Sequence, residues 1–446
     1  MNKIRIVHRS SRLFQPLNPV QKNIQAKNVD LTSLSQKLML DLGIIKQSSP
    51  GSFHYLPLAV RSLNKLTKIV DEEMANIDAQ KVIFPTLTYS KLWEKTGRIS
   101  DVDSELFKVK DRHDGSYILS PTHEEAAADL LATITPMSYK QFPLKLYQIS
   151  SKFRDEMKPR FGLMRARQFI MKDLYSFDLN MELARATYDQ VCEAYERIFK
   201  LIGINFVKVL GTTGNMGGSI SNEFHFISKI GEDKILSCGS CGYRANVELA
   251  GDELQCPVCG NNDKDLIKNG IEVGHTFLLG EKYSKPLNAN FMGINSNAVA
   301  LQMGSYGLGI SRILAAAIEV GSLEHEIRWP DVLAPYSIII ISPKDGSKED
   351  SAVKDLPLEM YRTLDGVFCD EVLLDDRNAL TIGKRVLDAK RTGYPYIVVV
   401  GSKATETPAR LEVIDVKNDE QHYLSKDQLV DFLQGNCANK SHSVTN

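Results

Sequence analysis

The segment 153–178, FRDEMKPRFGLMRARQFIMKDLYSFD, carries side chains suited to binding a phosphate chain. It is predicted to form a strand, a loop and a second strand. Alternate side chains of a strand share a face, so Arg154 and Glu156 project together. The loop adds four positive charges, from Lys158, Arg160, Arg165 and Arg167. An Arg-x-Glu pair alone also fits a surface salt bridge, but the basic loop favours a polyanion above the hairpin.

A second stretch with the same chemistry is 303–318, MGSYGLGISRILAAAI. Glycines let the backbone approach a ligand, and a helix start with Arg312 in its first turn attracts phosphate. The glycines lack the GxGxxG order, and no strand-helix-strand unit surrounds them. The pattern therefore does not predict a dinucleotide-binding fold.

The segment 119–125, LSPTHEE, leads into an alanine-rich helix. Thr122 and Glu125 have the spacing of a capping box, which is a structural role. Glu124 is not needed for that box. Its carboxylate is therefore the one to consider for a ligand.

Four of the seven cysteines form one cluster, Cys238-Gly-Ser-Cys241 and Cys256-Pro-Val-Cys259. Each pair aims two sulfurs at one point, and two such knuckles close a tetrahedral site typical of structural Zn²⁺. The gap between the pairs is marginally shorter than in the usual zinc ribbon. The alternatives are unrelated free cysteines, or two disulfides in an oxidising compartment. We expect a zinc knuckle over residues 235–262.

Four stretches together resemble one family, the class II aminoacyl-tRNA synthetases. FRDE, KPRFGLMR and FIMKDLYSF are similar to motif 2 of its bacterial and organellar prolyl-tRNA synthetases, and residues 303–312 resemble motif 3. The resemblance covers roughly residues 31–435. It implies activation of L-proline by ATP with Mg²⁺, giving prolyl-adenylate and pyrophosphate, followed by transfer to tRNA(Pro).

The resemblance also implies roles for individual residues. Arg154 and Arg312 are the expected catalytic residues, on the α- and γ-phosphates of ATP. The expected ATP-binding set is Arg154, Glu156, Arg165, Phe169, Gly309 and Arg312. The expected proline-binding set is Thr122, Glu124, His275 and Ser305, with His123 structural. A lone histidine in an apolar run such as His275 is equally a core residue. Asn222 stands where the family usually has His, and Ser305 where it often has Cys.

Relatives in bacteria carry a long editing insertion between motifs 2 and 3. In this chain only about 90 residues separate Asp178 from Glu272, and the cysteine cluster occupies that place. We expect no editing in cis. A synthetase-like binding protein without catalysis and another class II amino-acid specificity remain the alternative hypotheses.

The segment from Pro57 resembles motif 1, which builds the dimer interface in class II enzymes. A proline in the first turn and Leu63, Leu66, Val70 and Met74 at helical spacing predict a helix, followed by a strand over 81–85. A helix packed on its own domain explains this periodicity equally well. A homodimer is thus implied by the resemblance alone.

The first 29 residues contain no Asp or Glu but six Lys and Arg. This composition is typical of a mitochondrial presequence, so a matrix location is expected. The alternative is a basic arm that touches tRNA. The net charge of the whole chain is −1, so RNA binding would depend on local basic patches. No apolar run is long enough for a membrane span, and no membrane association is expected.

A domain boundary is predicted near residues 328–330, between a catalytic domain over 30–330 and a small α/β domain over 333–435. The latter resembles the anticodon-binding domain of the same family, with Arg377, Lys384 and Arg385 as expected tRNA contacts. A solvated helix face is the alternative for these charges. Residues 436–446 are expected to be a disordered tail. The predicted fold class is α+β, with an antiparallel sheet flanked by helices, the zinc knuckle and the anticodon domain.

Overall fold

The computed structural model describes residues 6–17, 33–100, 105–134, 137–250, 255–263, 266–293 and 297–438. The helices are α1 Leu34–Asp41, α2 Pro57–Ala75, α3 Ser90–Lys95, α4 Glu124–Thr133, α5 Met181–Ile202, α6 Val247–Ala250, α7 Ser284–Leu287, α8 Ile310–Gly321, α9 Lys348–Ala352, α10 Leu356–Val367, α11 Ile382–Thr392 and α12 Lys426–Ala438. None of the helices in these ranges has the length and apolar character needed to cross a membrane.

The strands follow the same chain order. They are β1 Ile45–Ser49, β2 Ser52–Tyr55, β3 Gln80–Lys81, β4 Leu87–Tyr89, β5 Phe107–Lys110, β6 Ser116–Leu119, β7 Met137–Ser138, β8 Leu144–Phe153, β9 Gln168–Asp178, β10 Phe206–Leu210, β11 Ile220–Ile227, β12 Asp233–Ser237, β13 Arg244–Asn246, β14 Ile267–Gly280, β15 Asn290–Met292, β16 Ala298–Ala300, β17 Gln302–Leu308, β18 Ile338–Ile341, β19 Val372–Asp375, β20 Tyr396–Val399, β21 Leu411–Asp415 and β22 Glu420–Leu424.

A nine-stranded sheet forms the centre of the large domain. Its order is β11-β10-β13-β12-β14-β17-β9-β8-β3, and β11 also pairs with β14. The long strands β8, β9, β17 and β14 pair antiparallel. Their register places Ser305 opposite Tyr175 and His275 opposite Gly307, so residues from different motifs become neighbours. The predicted antiparallel sheet flanked by helices is confirmed.

Helix α5 covers one face of this sheet. It contacts β9, β14 and β17, and α2 packs against α5 and α8. The buried aromatic and aliphatic side chains of α5 are Tyr188, Val191, Tyr195, Ile198, Phe199 and Ile202. Side chains alternate along β9, so Lys172 points towards α5 while its neighbour Asp173 points to the opposite face. One face of β9 therefore packs into the core beneath α5, and the other face lines a cavity.

Lys172 is fully buried, and its Nζ lies 2.8 Å from Tyr195 Oη. Burial lowers its pKa well below the ordinary value, and the charge of Asp173 only partly opposes this. The folded-state pKa is below the unfolded one, so the unfolded chain binds the extra proton and stability rises with pH. We expect Lys172→Met to raise stability at pH 7 by about 1–2 kcal/mol. The gain should shrink as pH approaches 10.

The pH dependence is measured as the difference in thermal unfolding midpoint between variant and wild type at pH 7 and pH 10. Lys152→Met is the matched control, because Lys152 is equally buried but lies 2.7 Å from Asp173 Oδ1. Its removal leaves a buried carboxylate without its cation and should destabilise. A Lys172→Met gain that is equal at both pH values would contradict the assignment.

The helix predicted from Pro57 is confirmed as α2, which begins at Pro57 and buries Leu63, Leu66, Val70 and Met74. The strand predicted over 81–85 is shorter, because β3 pairs with β8 only at Gln80 and Lys81. A further hydrogen bond from Val82 N to Tyr147 O extends this edge by one residue. The chain then leaves the sheet, with Phe84 buried and Ile83 89 % exposed.

The C-terminal domain is a five-stranded sheet in the order β19-β18-β20-β21-β22. Strand β18 pairs parallel with β19 and β20, whereas β21 pairs antiparallel with β20 and β22. The predicted α/β character of this domain is confirmed. Helix α12 continues to Ala438, three residues into the segment expected as a tail, and 439–446 lie outside the described residues.

Residues 6–17 lie between the two domains. The main chain of Arg9 forms a parallel bridge to Leu374, and Ser11 donates from N and Oγ to Asp376 at 2.9 and 2.8 Å. Pro16 contacts Gly43 so closely that a Cβ there would lie 2.8 Å from Pro16 O. Residues 1–5 and 18–29 of the expected presequence lie outside the described residues, and its cleavage position stays a prediction.

Candidate active site

The residues predicted to bind ATP and proline converge on one cavity of ≈ 370 Å³. It lies on the face of the sheet opposite α5, where Asp173 also points. The predicted residues that line it are Thr122, Glu124, Arg154, Glu156, Arg165, Phe169, His275, Ser305, Gly309 and Arg312. Four separate segments of the chain therefore form one site. The role of each residue stays a prediction.

At one end of the cavity Glu124 is fully buried. Its Oε1 accepts hydrogen bonds from Thr122 Oγ1 at 2.8 Å and Ser305 Oγ at 2.7 Å. The predicted capping box is wrong, because α4 starts after His123 without a side-chain cap. Thr122 uses its hydroxyl on Glu124 instead, while Glu125 accepts from Thr96 Oγ1 at 3.1 Å.

A buried network holds the turn before α4. His123 N donates to Tyr175 Oη at 2.7 Å, and Tyr175 donates to Asp173 Oδ2 at 2.8 Å. Burial alone would raise the pKa of Asp173, but its bonds with His123, Lys152 and Gln148 outweigh this and lower it to about 2. The ionised Asp173 carboxylate therefore holds the turn that carries Thr122 and Glu124 through this network. His123 is part of the same network and has a structural role.

At the other end, Arg154 and Glu156 lie just beyond β8, which ends at Phe153. Arg154 and Glu156 therefore do not alternate along a strand as predicted, because Glu156 N donates back to Arg154 O at 2.8 Å. Both side chains nevertheless reach the cavity. The Arg154 guanidinium lies 5.3 Å from the centre of the Phe169 ring. Arg165 Nε donates to Glu156 Oε2 at 2.9 Å.

Two guanidinium groups face each other across this end. Burial, and then the charge of Arg312, lower the pKa of Arg154, whereas Glu272 and Glu105 oppose the shift. Arg312 Nη1 donates to Glu272 O at 3.1 Å. A Cβ on Gly309 would lie 3.1 Å from Arg312 Cβ, so glycine leaves room for that arginine. Like charges held together in this way favour an anion between them.

His275 lines the cavity rather than the core. Its Nδ1 lies 2.9 Å from Glu272 Oε1 and its Nε2 2.6 Å from Ser221 Oγ, and the ring stacks on Phe277 at 4.0 Å. Burial alone would raise the pKa of Glu272, but His275 and Arg312 outweigh it and lower the pKa. Asn222 does not line this cavity; it bonds to Tyr188 Oη at 2.8 Å.

Residues 107–321 match the tRNA synthetase class II core domain (G, H, P, S and T), and residues 338–436 match an anticodon binding domain. A probable mitochondrial proline-tRNA ligase of Homo sapiens is 46 % identical over 95 % of this chain and 90 % of its own length. The chain belongs to the prolyl-tRNA synthetase family.

Other members of the prolyl-tRNA synthetase family extend this comparison. A probable mitochondrial proline-tRNA ligase of Schizosaccharomyces pombe is 40 % identical over 90 % of this chain and 93 % of its own. A proline-tRNA ligase of Hyphomonas neptunium is 36 % identical over 95 % of this chain and its full length. The Giardia lamblia prolyl-tRNA synthetase in complex with prolyl-adenylate shares the fold, with a TM-score of 0.75, 16 % identity, and coverage of 92 % of this chain and 80 % of that one.

The four clustered cysteines of this synthetase lie in the insert between β12 and β14. Their sulfurs all lie within 4.8 Å of one another, with Cys238 to Cys259 at 3.5 Å and Cys241 to Cys256 at 3.6 Å. Zn–S bonds of about 2.3 Å place tetrahedral sulfurs about 3.8 Å apart, so the set fits Zn²⁺. These distances are too long for disulfides.

The expected tRNA contacts of the synthetase differ in exposure. Arg385 is fully buried and donates to Ser342 O at 2.7 Å and Asp375 O at 3.2 Å, so the prediction that it contacts tRNA is wrong. Arg377 forms a paired bond with Asp375 at 2.9 and 2.6 Å. Lys384 Nζ lies 2.7 Å from Asp388 Oδ1, and its side chain is 49 % exposed.

Several polar residues of the cavity escaped the sequence analysis. The charged ones are Arg98, Glu105, Asp173 and Glu272. Arg98 follows the short helix α3 and reaches the cavity only through the tertiary fold. Asp173 lies within the FIMKDLYSF segment, where strand alternation starting from Phe169 would have placed it on the cavity face.

Proposed function

We propose that this chain is a mitochondrial prolyl-tRNA synthetase that forms prolyl-adenylate from L-proline and ATP and transfers proline to tRNA(Pro). The observation that carries this proposal is the single cavity with a buried carboxylate at one end and paired arginines at the other. A cationic amine fits the first end and a phosphate chain fits the second. The family relationship supports the same reaction.

The amino-acid carboxylate is the nucleophile of the first step. It is ionised at neutral pH, so attack on the α-phosphorus needs alignment and charge stabilisation rather than a general base. We propose that Arg154 neutralises the α-phosphate and that Arg312 holds the γ-phosphate. Mg²⁺ would stabilise the departing pyrophosphate, and Glu105 and Glu272 are the cavity carboxylates that would hold it.

The amine of proline is bound at Glu124. A secondary ammonium donates two hydrogen bonds, and Glu124 with Thr122 and Ser305 provides acceptor oxygens. The hydroxyl of Ser305 donates to Glu124, so a thiol at this position is not required. His275 forms a neighbouring wall, fixed by Glu272 and Ser221.

The base and tail of ATP are bound by motif 2. Phe169 offers a ring for stacking, and Glu156 accepts from the adenine amino group. Arg165 is held by Glu156 at 2.9 Å and by Glu232 Oε2 at 3.0 Å. We propose that Arg165 exchanges one of these carboxylates for phosphate when ATP binds.

The test is ATP-pyrophosphate exchange with proline, alanine, cysteine and threonine as separate substrates. Proline-dependent exchange with a weaker alanine signal is the expected result. Exchange with a different amino acid alone would remove the proline specificity. Folded, zinc-loaded protein without exchange on any of them would favour the non-catalytic binding protein.

We propose that no editing occurs in cis. Between β9 and β14 the described residues form α5, strands β10 to β13, α6 and the four-cysteine insert. Alanine is smaller than proline, and such size differences discriminate only about 10- to 200-fold. Rapid hydrolysis of Ala-tRNA(Pro) by the purified protein would contradict this.

The exposed apolar residues after β3 support a homodimer. Ile83, Leu87 and Tyr89 are 89 %, 47 % and 39 % exposed, although apolar side chains of this size prefer burial. We propose that a second copy covers them. Sedimentation equilibrium that gives the monomer mass at micromolar concentration would contradict this, and Ile83→Asp should weaken association.

Anticodon recognition belongs to the C-terminal domain. With Arg385 buried, the proposed tRNA contacts are Lys384 and Arg377, whose carboxylate partners must release them to phosphate or unstacked bases. Lys384→Ala should raise the KM for tRNA(Pro) without changing the KM for proline in exchange assays. Equal tRNA KM values for variant and wild type would remove Lys384 from the interface.

A further inference from the structure

Arg98 is a buried cation whose partners belong to the proline end of the cavity. It is 5 % exposed. Its Nη1 donates to Glu124 Oε2 at 2.9 Å and lies 3.4 Å from Glu125 Oε2. The other arm donates to Met216 Sδ at 2.8 Å, and the guanidinium lies 4.6 Å from the centre of the Trp93 ring. These contacts fix its orientation.

The three charged groups form an unbalanced set. Glu124 and Glu125 are both fully buried, and Arg98 is the cation that contacts them among the described residues. With both carboxylates ionised, the two carboxylates and the one guanidinium carry a net charge of −1. Burial raises the pKa of Glu125, with the charge of Arg98 opposing and that of Glu124 adding to the shift. Without the guanidinium, two adjacent buried carboxylates would share a proton.

The contacts also fix the rotation of the Glu124 carboxylate. Arg98 occupies Oε2, while Thr122 and Ser305 occupy Oε1 from the other side. Each carboxylate oxygen has two lone pairs, so acceptor capacity remains for a ligand in the cavity. A bonded carboxylate of this kind is preorganised and loses little entropy when the ligand arrives.

On the basis of the proposed function, we propose that Arg98 is a positioning residue for proline. It holds Glu124 in the orientation that accepts the amine and leaves the set one negative charge, which the cationic amine neutralises. Arg98 does not touch the reacting atoms and acts through Glu124.

Three other titratable groups face this set. Tyr283 precedes α7 and lies 5.7 Å from the Arg98 guanidinium, measured to the centre of its ring. Tyr175 comes from β9, and burial raises its pKa well above the ordinary value. Lys152 comes from β8; burial lowers its pKa, while Asp173 opposes the shift. Lys152 lies 2.7 Å from Asp173 Oδ1, so its charge is already balanced there.

The experiment is the pH dependence of kcat/KM for proline in ATP-pyrophosphate exchange. Arg98→Gln keeps a hydrogen-bonding side chain but removes the charge, so the acid limb should move up by about one to three pH units. The KM for proline at pH 7 should rise roughly 10-fold or more. The KM for ATP should not change. Arg98→Lys, which keeps the charge, should restore the wild-type acid limb.

Glu125→Gln supplies the second arm of the test. The single variant Glu125→Gln leaves Arg98 and Glu124 as a neutral pair, so the KM for proline should rise. In the double variant with Arg98→Gln the charge is again −1, and both the KM and the acid limb should return towards wild type. If the substitutions acted only by disturbing packing, the increases in the KM for proline of the two single variants would add in the double variant.

The outcomes separate the two proposals. If the wild type lacks proline-dependent exchange, the proposed function fails and this inference fails with it. If the wild type is active but Arg98→Gln keeps its acid limb, or the double variant is additive, the role of Arg98 is overturned. If Arg98→Gln does not fold, an unchanged proline KM in Glu125→Gln overturns it.

Discussion

Replacing Arg154 by alanine is expected to lower the rate of prolyl-adenylate formation by roughly 10²- to 10³-fold, equivalent to about 3–4 kcal/mol, the usual loss for one preorganised charge donor. The guanidinium lies beside Phe169 and faces Arg312 in the cavity. Its charge is needed mostly when the α-phosphate becomes more negative in the transition state. The loss should therefore appear in kcat more than in the KM for proline. Single-turnover adenylate formation measures it directly.

The control for this variant is Arg185→Ala. Arg185 is half exposed on α5 and pairs with Asp189 at 3.2 Å, away from the cavity. Surface ion pairs of this kind contribute little, so its activity and unfolding midpoint should match the wild type. Near-normal adenylate formation by folded Arg154→Ala would refute the role of Arg154. Equal loss in both variants would indicate a general effect of removing positive charge.

Replacing Cys256 by serine is expected to remove bound zinc and unfold the insert between β12 and β14. The insert has a very small core, made of Leu236, Cys238, Cys256 and Leu266. Metal ligation contributes about 10–16 kcal/mol in small zinc domains, far more than four side chains can supply by burial. Metal analysis of protein purified without chelator should give one zinc per wild-type chain and none for the variant.

The loss of zinc should also change ATP binding at the other end of the cavity from proline. Glu232 precedes β12, and its carboxylate accepts from Arg160 Nε at 2.6 Å and Arg165 Nη1 at 3.0 Å. Strand β12 connects Glu232 to the insert, so unfolding of the insert is expected to displace Glu232 and change the KM for ATP, while the proline pocket stays intact.

Cys369→Ser, in the C-terminal domain, is the control for this substitution and should keep both zinc and activity. A Cys256→Ser protein that retains zinc and a protected insert in hydrogen exchange would contradict the structural role of the metal. Iron in place of zinc would leave the site but change its metal.

The sequence predicted the cavity more completely than the charges around it. Motifs with fixed spacing, such as the Thr-His-Glu segment and the glycine-rich stretch before α8, placed ten residues on one cavity because the antiparallel register brings them together. Arg98 was missed because its neighbours along the chain give no sign of it. The predicted capping box failed because buried charge outweighs a local cap when Thr122 has Glu124 within reach.

Exposure was the property that sequence reasoning predicted least well. Arg385 and Lys384 are adjacent in one basic stretch, yet the first is fully buried and the second half exposed. A helix such as α11 turns about 100° per residue, so neighbouring charges point in different directions. Only the packing against β18 and β20 decides which of them meets solvent.

The contacts of residues 6–17 with both domains form at a late stage of folding. Ser11 bonds to Asp376, a residue 365 positions later in the chain. A ribosome makes the first partner at the start of synthesis and the second near its end, so these contacts close only after both domains exist. Contacts of such high sequence separation form late and slowly. The contacts of residues 6–17 with the two domains therefore form only after the whole chain has been made. A protein that lacks residues 1–29 would lack these contacts.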